Sequence, residues 1–595
     1  MATECYTQLG FGFQPKLVVD FAGGTLTTDA GLLLVRQFVG HALPLGDVHH
    51  GRVETALATH APAAGVHQRS WTLPPLRRRL SGRAEVKVQF LGHAGLLIQG
   101  GNTRILMDGW FSPAGAFDSS WFQLPSNHHL GERDWSHVDA FVVSHEHLDH
   151  LDAGFLRRQS AATPLHVVSF GSPLFLRKIL RTTGRTPKVL GTGREYQIGE
   201  IRARAWIEPS PMNQDSVWAF THRGRSIVHT VDSRLSIEEL DEILEFTGGP
   251  PDLLLLQHSG ASWYPLVYEI LSPVEKRMRS LTKRERKLAY ARSVADHMRP
   301  GTVVINAGPP AFLDPQLRQV NADPSFPTPG ESRAWLEKVG YRGRVEAPLP
   351  GDEIDLRTGE MTEDPAMHGE FSWAQAESYI EGYARRCEPA IAAAYRHADE
   401  LRVIDMDAAV HEHFTAMLAL SPYFNERIDL TLCLDVEGPQ SGRWLIDFGR
   451  SPSVRKARDG DEYQYRYTMH SRWLKRILVE GLPWEDFFLS LRFTAFRDPD
   501  IYNDHLLGLM KFNDPASLTA VEEYERSLSD ETIVRDTPDG LRCEIARYCP
   551  HAGAALDHAP IEGHLLTCLN HHYVFDLDTG KCLTGNCVLR ARKLS

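Results

Sequence analysis

No apolar run in the 595 residues approaches the length of a membrane span; the four leucines at 253–256 have the length of the middle of a buried strand. The N-terminus lacks the basic-then-apolar order of a signal peptide. Cysteine is scarce, and eight in a chain this long make no disulfide framework. Positive charge is also short: a net charge of -12 argues against general nucleic-acid binding and leaves room only for a local basic pocket. With 42% apolar and 24% charged residues, the composition is that of a globular protein, expected in a reducing cytoplasm with neither membrane nor nucleic acid as partner. The length allows three or four domains, each with its own core.

Against that scarcity two cysteines stand out. Cys549-Pro550-His551 is followed, after sixteen residues, by Cys568-Leu569-Asn570-His571. Two thiolates and two imidazoles, paired as Cys-x-His and Cys-x-x-His on turn-forming loops, suit a [2Fe–2S] centre in which cysteines hold one iron and histidines the other. The plainer alternative is a structural Cys2His2 zinc site. Zinc fingers, however, keep their cysteines and histidines in separate pairs. With the Tyr573 to Cys582 segment behind it, this stretch resembles a Rieske domain, which implies an electron-transfer role.

Further upstream, Val86 to Leu91 alternates as a strand before Gly92-His93, and a hairpin turn at Gly100-Gly101-Asn102 returns the chain to Asp108. The buried strand Asp139 to Ser144 then delivers His145-Glu146-His147-Leu148-Asp149-His150. Residues i and i+2 of an extended segment point the same way, so His145 and His147 can grip one metal. After the chain turns, Asp149 and His150 can grip a second, and the carboxylate favours iron, manganese or zinc over copper(I). The run resembles the metallo-β-lactamase fold, in its lactonase- and phospholipase-like branch, over roughly residues 85–315. That resemblance implies Asp232, in Thr230-Val-Asp232-Ser, as a bridging ligand. It also implies histidines within 206–213 and 303–310, and neither segment has one. His258 is then either a substitute ligand or a hydrogen-bonded core residue. The basic run from Lys276 to Lys287 reads as a solvated helix face, with docking of an acidic partner as the lesser reading.

Five parts are therefore expected. Residues 1–66 resemble the opening of an insertion-sequence transposase, through Phe13 to Arg36, without a catalytic triad to follow; 67–84 reads as a linker. The metallo-β-lactamase-like domain spans 85–350, and 351–529 is an α+β module with weak sterol-carrier-like character. The Rieske domain occupies 530–595. The expected fold is thus multi-domain α/β and α+β: an αββα sandwich, a central α+β module and a small all-β domain. In the central module, strands at 431–436, 444–448 and 463–468 should form an antiparallel sheet. Arg492, Arg497, Tyr502, Asn503 and His505 form a polar cluster that lines a cleft or packs at the surface.

The pairing of these domains resembles the CMP-N-acetylneuraminate hydroxylase family, although the Rieske domain is expected at the N-terminus of the animal enzymes. The resemblance implies a monooxygenase that takes electrons from an external reductase, ferredoxin or cytochrome. The cluster on Cys549, His551, Cys568 and His571 would pass them to iron near His145, His147, Asp149, His150, Asp232 and His258. Dioxygen would be a substrate beside a nucleotide-sugar or related small polar molecule. Two other readings remain: a zinc-dependent hydrolase of a lactone, ester or phosphodiester with a redox-sensing Rieske domain, and a non-catalytic electron carrier.

Overall fold

The computed structural model describes residues 8–10, 18–20, 86–208, 210–260, 262–528, 530–551, 553–569 and 572–594. The chain falls into two compact units, residues 1–81 and 82–595. Of the first, two short antiparallel strands are described, Gln8–Gly10 and Val18–Asp20. The rest of the transposase-like segment and the 67–84 linker lie outside the described residues.

In the second unit, alternating apolar residues build two facing sheets. The first runs through β1 (Val86–Gly92), β2 (Gly95–Gly100), β3 (Thr103–Met107), β4 (Ala140–Val142), β5 (Leu165–Val168) and β6 (Lys188–Leu190). The second runs through β7 (Glu195–Ile198), β8 (Ile201–Ile207), β9 (Ser216–His222), β10 (Arg225–His229), β11 (Leu253–Gln257), β12 (Thr302–Asn306) and β13 (Arg344–Glu346). Val88, Ile98 and Ile105 of one sheet meet Trp218, Ile227 and Leu255 of the other in a shared core. Helices cover the outer faces: Leu174–Thr183 belongs to the first side, while Ile237–Thr247 and α1 (Pro273–Met298) belong to the second. This is the expected αββα sandwich. Both sheets end their parallel strands on the same side, so the loops after β4, β10 and β11 gather at one rim.

The first sheet extends past residue 350: β14 (Glu353–Asp355) pairs with β1, and β15 (Glu360–Thr362) pairs with β14. After the long helix Ala376–Glu400, a second sheet-and-helix module follows. Its strands are β16 (Thr431–Glu437), β17 (Gly442–Asp447), β18 (Ser453–Lys456), β19 (Tyr465–His470) and β20 (Phe493–Arg497), in the order β18-β17-β16-β19-β20. The expectation of a wholly antiparallel sheet needs correcting, because β16 and β19 pair in parallel. The reason is β18, a strand not expected from the sequence: it takes the outer edge beside β17, so the chain crosses back to reach β16 from its other side.

Four helices then pack on and beyond this sheet: α2 (Ser471–Glu480), α3 (Trp484–Leu489), α4 (Asp504–Phe512) and α5 (Pro515–Ser527). Asn503 caps α4 by accepting the Leu506 N–H at 2.9 Å. Two three-stranded sheets form the C-terminal domain around Cys543, Leu556, Phe575 and Leu589. Among the described residues no helix is long and apolar enough to cross a membrane.

Candidate functional site

The first cluster is built where β3 and β4 end. Asp108 follows β3 in the left-handed region (φ 46°), which turns its carboxylate back along the neighbouring strand end. Oδ1 accepts the Ser144 N–H at 2.8 Å, while Oδ2 accepts the Ser144 hydroxyl at 2.6 Å and pairs with His150 Nδ1 at 3.0 Å. One carboxylate therefore sets both ends of the His145–His150 loop. It also leaves His150 Nε2 facing the cluster, 3.7 Å from Asp149 and 3.9 Å from Asp232.

Four of the six expected metal ligands, His145, His147, Asp149 and His150, meet here, and Asp232 stands at their edge. His145 Nε2 faces His147 Nδ1 at 3.0 Å. Asp149 is held by His93 Nε2 at 3.0 Å. Asp232 Oδ1 accepts the Gln257 amide at 2.6 Å. His258 stands apart: it is buried between the Ser332 hydroxyl, 2.8 Å from Nδ1, and the Gly308 carbonyl, 2.9 Å from Nε2. Burial holds it neutral, with its pKa lowered to about 3. Both ring nitrogens are used within the core, and among the described residues none of the metal-competent groups includes it.

The structure adds residues that the spacing did not reveal. Asp215, just ahead of β9, lies 3.6 Å from His145 Nδ1. It falls two residues past the 206–213 segment in which a histidine was expected. Glu485, on α3, lies 3.6 Å from His147 Nε2, and Lys511, on α4, reaches Glu485 at 3.0 Å and Glu146 at 3.5 Å. The central module thus forms one wall of the cluster. Glu485 carries no local signal, since it sits in an apolar helix more than 300 residues away in sequence.

Crowding polarises the group. Burial works against charge on His147 and His150, yet Glu485 raises the former to about 9, while Asp149 and Asp108 raise the latter to about 10. For Asp215, burial and then the Asp232 carboxylate raise the pKa to about 8. His145 is pushed well below the usual range by burial and by its two histidine neighbours. Nε2 of His147 and Nε2 of His150 are buried without hydrogen-bond partners among the described residues. Imidazole nitrogens and carboxylates converging on one buried pocket, with two ring nitrogens left over, fit a bound metal cation.

The second cluster lies in the C-terminal domain. Cys549 and Cys568 are both fully buried, on loops that close in the same way. Gly553 N–H donates to Cys549 O at 2.8 Å and Cys549 N–H to Ala554 O at 2.8 Å; the matching bonds are His572 to Cys568 and Cys568 to Tyr573, both at 2.9 Å. His551 stacks on Tyr573 with ring centroids 4.1 Å apart, and its Nε2 lies 3.4 Å from Asp504 Oδ1. Burial opposes a charge on His551, and Asp504 raises its pKa despite that. His571 lies outside the described residues. Two buried thiols and one carboxylate-oriented imidazole on matching loops suit the iron–sulfur centre.

The polar group after α3 proves to be internal. Arg492 pairs with Asp314 at 2.8 Å with both side chains almost fully buried, and His505 pairs with Glu525 at 3.1 Å. Arg492 thus joins the central module to the first domain, and His505 ties α4 to α5. The α1 run is a solvated face only in part, for Arg277, Arg279 and Arg286 are exposed. Lys283 and Lys287 are half-buried, and Lys287 Nζ donates to Gln257 Oε1 and to Ser259 O, the latter at 3.2 Å. Gly260 makes room for it, since a Cβ there would strike the ammonium. Among the described residues no carboxylate pairs with Lys283, Arg284, Arg286 or Lys287, and Arg284 Nε is buried without a partner.

Comparison with known proteins places names on these parts. A β-lactamase superfamily domain model matches residues 87–270, an Rv3818-like, SCP2-like domain model matches 406–527, and a Rieske [2Fe-2S] domain model matches 515–593. A protein assigned to the Rieske 2Fe-2S iron–sulfur proteins in Mycolicibacterium smegmatis is 28% identical over 524 residues, covering 84% of this chain and 98% of that one. The cytidine monophosphate-N-acetylneuraminic acid hydroxylase of Gorilla gorilla gorilla is 23% identical over 463 residues, covering 73% of this chain and 72% of that enzyme. Among solved structures, CmlA, a diiron β-hydroxylase from Streptomyces venezuelae, aligns at 20% identity over 46% of this chain and 55% of its own, with a TM-score of 0.32. The chain carries a β-lactamase-superfamily domain and a Rieske [2Fe–2S] domain, with a match to an SCP2-like model between them, and over most of its length it is similar to mycobacterial Rieske iron–sulfur proteins and to the CMP-N-acetylneuraminic acid hydroxylases.

Proposed function

We propose that the chain is a monooxygenase in which a [2Fe–2S] cluster on Cys549, His551, Cys568 and His571 serves an iron site at His145, His147, Asp149, His150 and Asp232. The carrying observation is α4, a nine-residue helix that touches both clusters, through Asp504 at His551 and through Lys511 at Glu485 and Glu146. When bound, the cluster supplies single electrons and the iron supplies the activation of dioxygen.

The protein's own part is to shape the pocket. Asp108 keeps the His150 Nδ1 proton, so that Nε2 remains free to ligate. The Lys511 ammonium holds Glu485 ionised beside His147, giving the pocket a proton-accepting carboxylate next to a ligand. Phe117 packs against His147, with ring centroids 6.4 Å apart, and Trp110 against His93 at 5.5 Å, both of which help exclude bulk water.

The α1 cations, connected to Asp232 through Gln257, support an anionic substrate. A nucleotide-sugar is the favoured class, in keeping with the substrate named for the similar hydroxylases. The electron donor would be an external reductase, ferredoxin or cytochrome, and we place the protein in the cytoplasm.

The test is metal content after purification without oxygen, in wild type and in Cys549→Ser. The expected result is iron beyond the two atoms of the cluster, retained in Cys549→Ser and lost in His147→Ala, whose visible cluster absorption stays unchanged. Zinc in that site would turn the reading to hydrolysis, and an empty site would turn it to an electron carrier.

A further inference from the structure

Two cysteines belong to neither cluster and yet are paired through their backbones. Cys582 and Cys587 bracket a four-residue bend after the second iron–sulfur loop, and their side chains are close enough to influence each other's titration. The backbone brings them together, because Cys582 N–H donates to Cys587 O at 3.2 Å. The Cys582 sulfur also accepts the Gly585 N–H at 3.1 Å, and the Thr584 hydroxyl lies 3.6 Å away. A backbone N–H donating to the sulfur, with the Thr584 hydroxyl beside it, suits a thiolate, and the neighbouring Cys587 thiol, the largest influence, draws the Cys582 pKa down. The other described cysteines outside the cluster go the opposite way: burial pushes Cys387 up to about 11 and Cys433 up to about 12, and raises Cys543.

The bend is also well placed. Tyr502 N–H donates to Thr584 O at 3.3 Å, and the Asn586 side chain accepts Asp504 N–H at 3.4 Å and donates to Arg427 O at 3.1 Å. Asp504 is the residue beside His551, so the bend sits two contacts from the iron–sulfur loops. Cys582 is almost fully buried, whereas Cys587 is only half-buried, so a small oxidant reaches the pair and a bulky one does not.

We propose that Cys582 and Cys587 form a redox-active dithiol whose oxidant is a hydroperoxide and whose product is an intramolecular disulfide beside the iron–sulfur domain. The Cys582 thiolate attacks the peroxide, breaking the O–O bond; the sulfur becomes a sulfenic acid and hydroxide leaves. The Cys587 thiol then attacks that sulfur, giving the disulfide and releasing water. One thiolate, one thiol and one hydrogen peroxide thus become one disulfide, one water and one hydroxide, with two electrons passing from sulfur to oxygen. A phosphine or dithiol reductant restores both thiols.

The experiment treats the cluster-loaded full chain with one equivalent of hydrogen peroxide, quenches it with N-ethylmaleimide and maps the cysteines by mass spectrometry. In wild type the peptide bearing Cys582 and Cys587 should lose two hydrogens and take no maleimide. It should do so at least ~10-fold faster than Cys387, Cys433 or Cys543 are oxidised, with the visible cluster absorption retained. In Cys587→Ser oxidation should stop at Cys582 and be trapped by dimedone. Two maleimide-labelled thiols at 582 and 587 in peroxide-treated wild type would overturn the proposal. Oxidation no faster than at the three buried cysteines would overturn it as well. Both of these outcomes are read in the wild type, so neither depends on a variant folding.

Discussion

His150 and His258 are both buried, and each has a polar partner at Nδ1, yet they end in opposite roles. The Asp108 carboxylate fixes the His150 ring and leaves Nε2 to a crowded pocket, whereas Gly308 O occupies Nε2 of His258. Replacing His258 should therefore harm the fold and spare the metal. His258→Ala strands the Ser332 hydroxyl in the core and should cost about 1–3 kcal/mol, read by chemical denaturation, with unchanged metal content by elemental analysis. A loss of metal without a loss of stability would return His258 to the ligands. The sequence could not separate these cases, because spacing tells which side chains share a loop and not where a ring nitrogen points. His145, His147, Asp149 and His150 were legible because six consecutive residues carry them; Asp215 and Glu485 were not, because another strand and another module bring them in.

Among the elements, α1 gives the clearest pH signature. Burial lowers Lys287 to about 7 and Lys283 to about 8; Arg234 adds to the shift in both, and Asp232 partly offsets it for Lys287. A lowered lysine pKa means charge present below the folded value and lost above it. Binding of an anion should thus be strongest near pH 6.5 and weaken as pH rises through 7 to 8. Calorimetric titration of cytidine monophosphate across this range checks the expectation, and Lys287→Met should both weaken binding and flatten its pH dependence. Equal affinity at pH 6.5 and 8.5 in wild type would remove α1 from the substrate site. The basic composition of this helix was legible, but the direction of its stripe was not, since that depends on packing against the loops after β11. Strand existence was likewise readable from alternation, while the parallel β16–β19 pair depended on where β18 found its edge.

At the scale of the whole molecule, residues 82–595 form a compact unit of their own, and both clusters lie within it. Deleting residues 1–66 should leave iron content, cluster absorption and thermal midpoint unchanged; loss of folding would make that segment part of the functional protein. The three modules could be recognised because each carries a local motif or alternation. Their seams could not be read in the same way: β14 and β15 return to the first sheet after residue 350, a pairing that spans more than 260 residues. The most consequential seam is α4. Asp504 and Lys511 are seven residues apart, a rise of about 10 Å, and each faces a different cluster. Two clusters in contact with opposite ends of one short helix are tethered at fixed separation within a single polypeptide, and on the proposed reading they are electron donor and acceptor. Transfer from a reduced cluster to the second site would then be unimolecular, and its rate per chain, read after the cluster has been chemically reduced, should stay constant however far the protein is diluted.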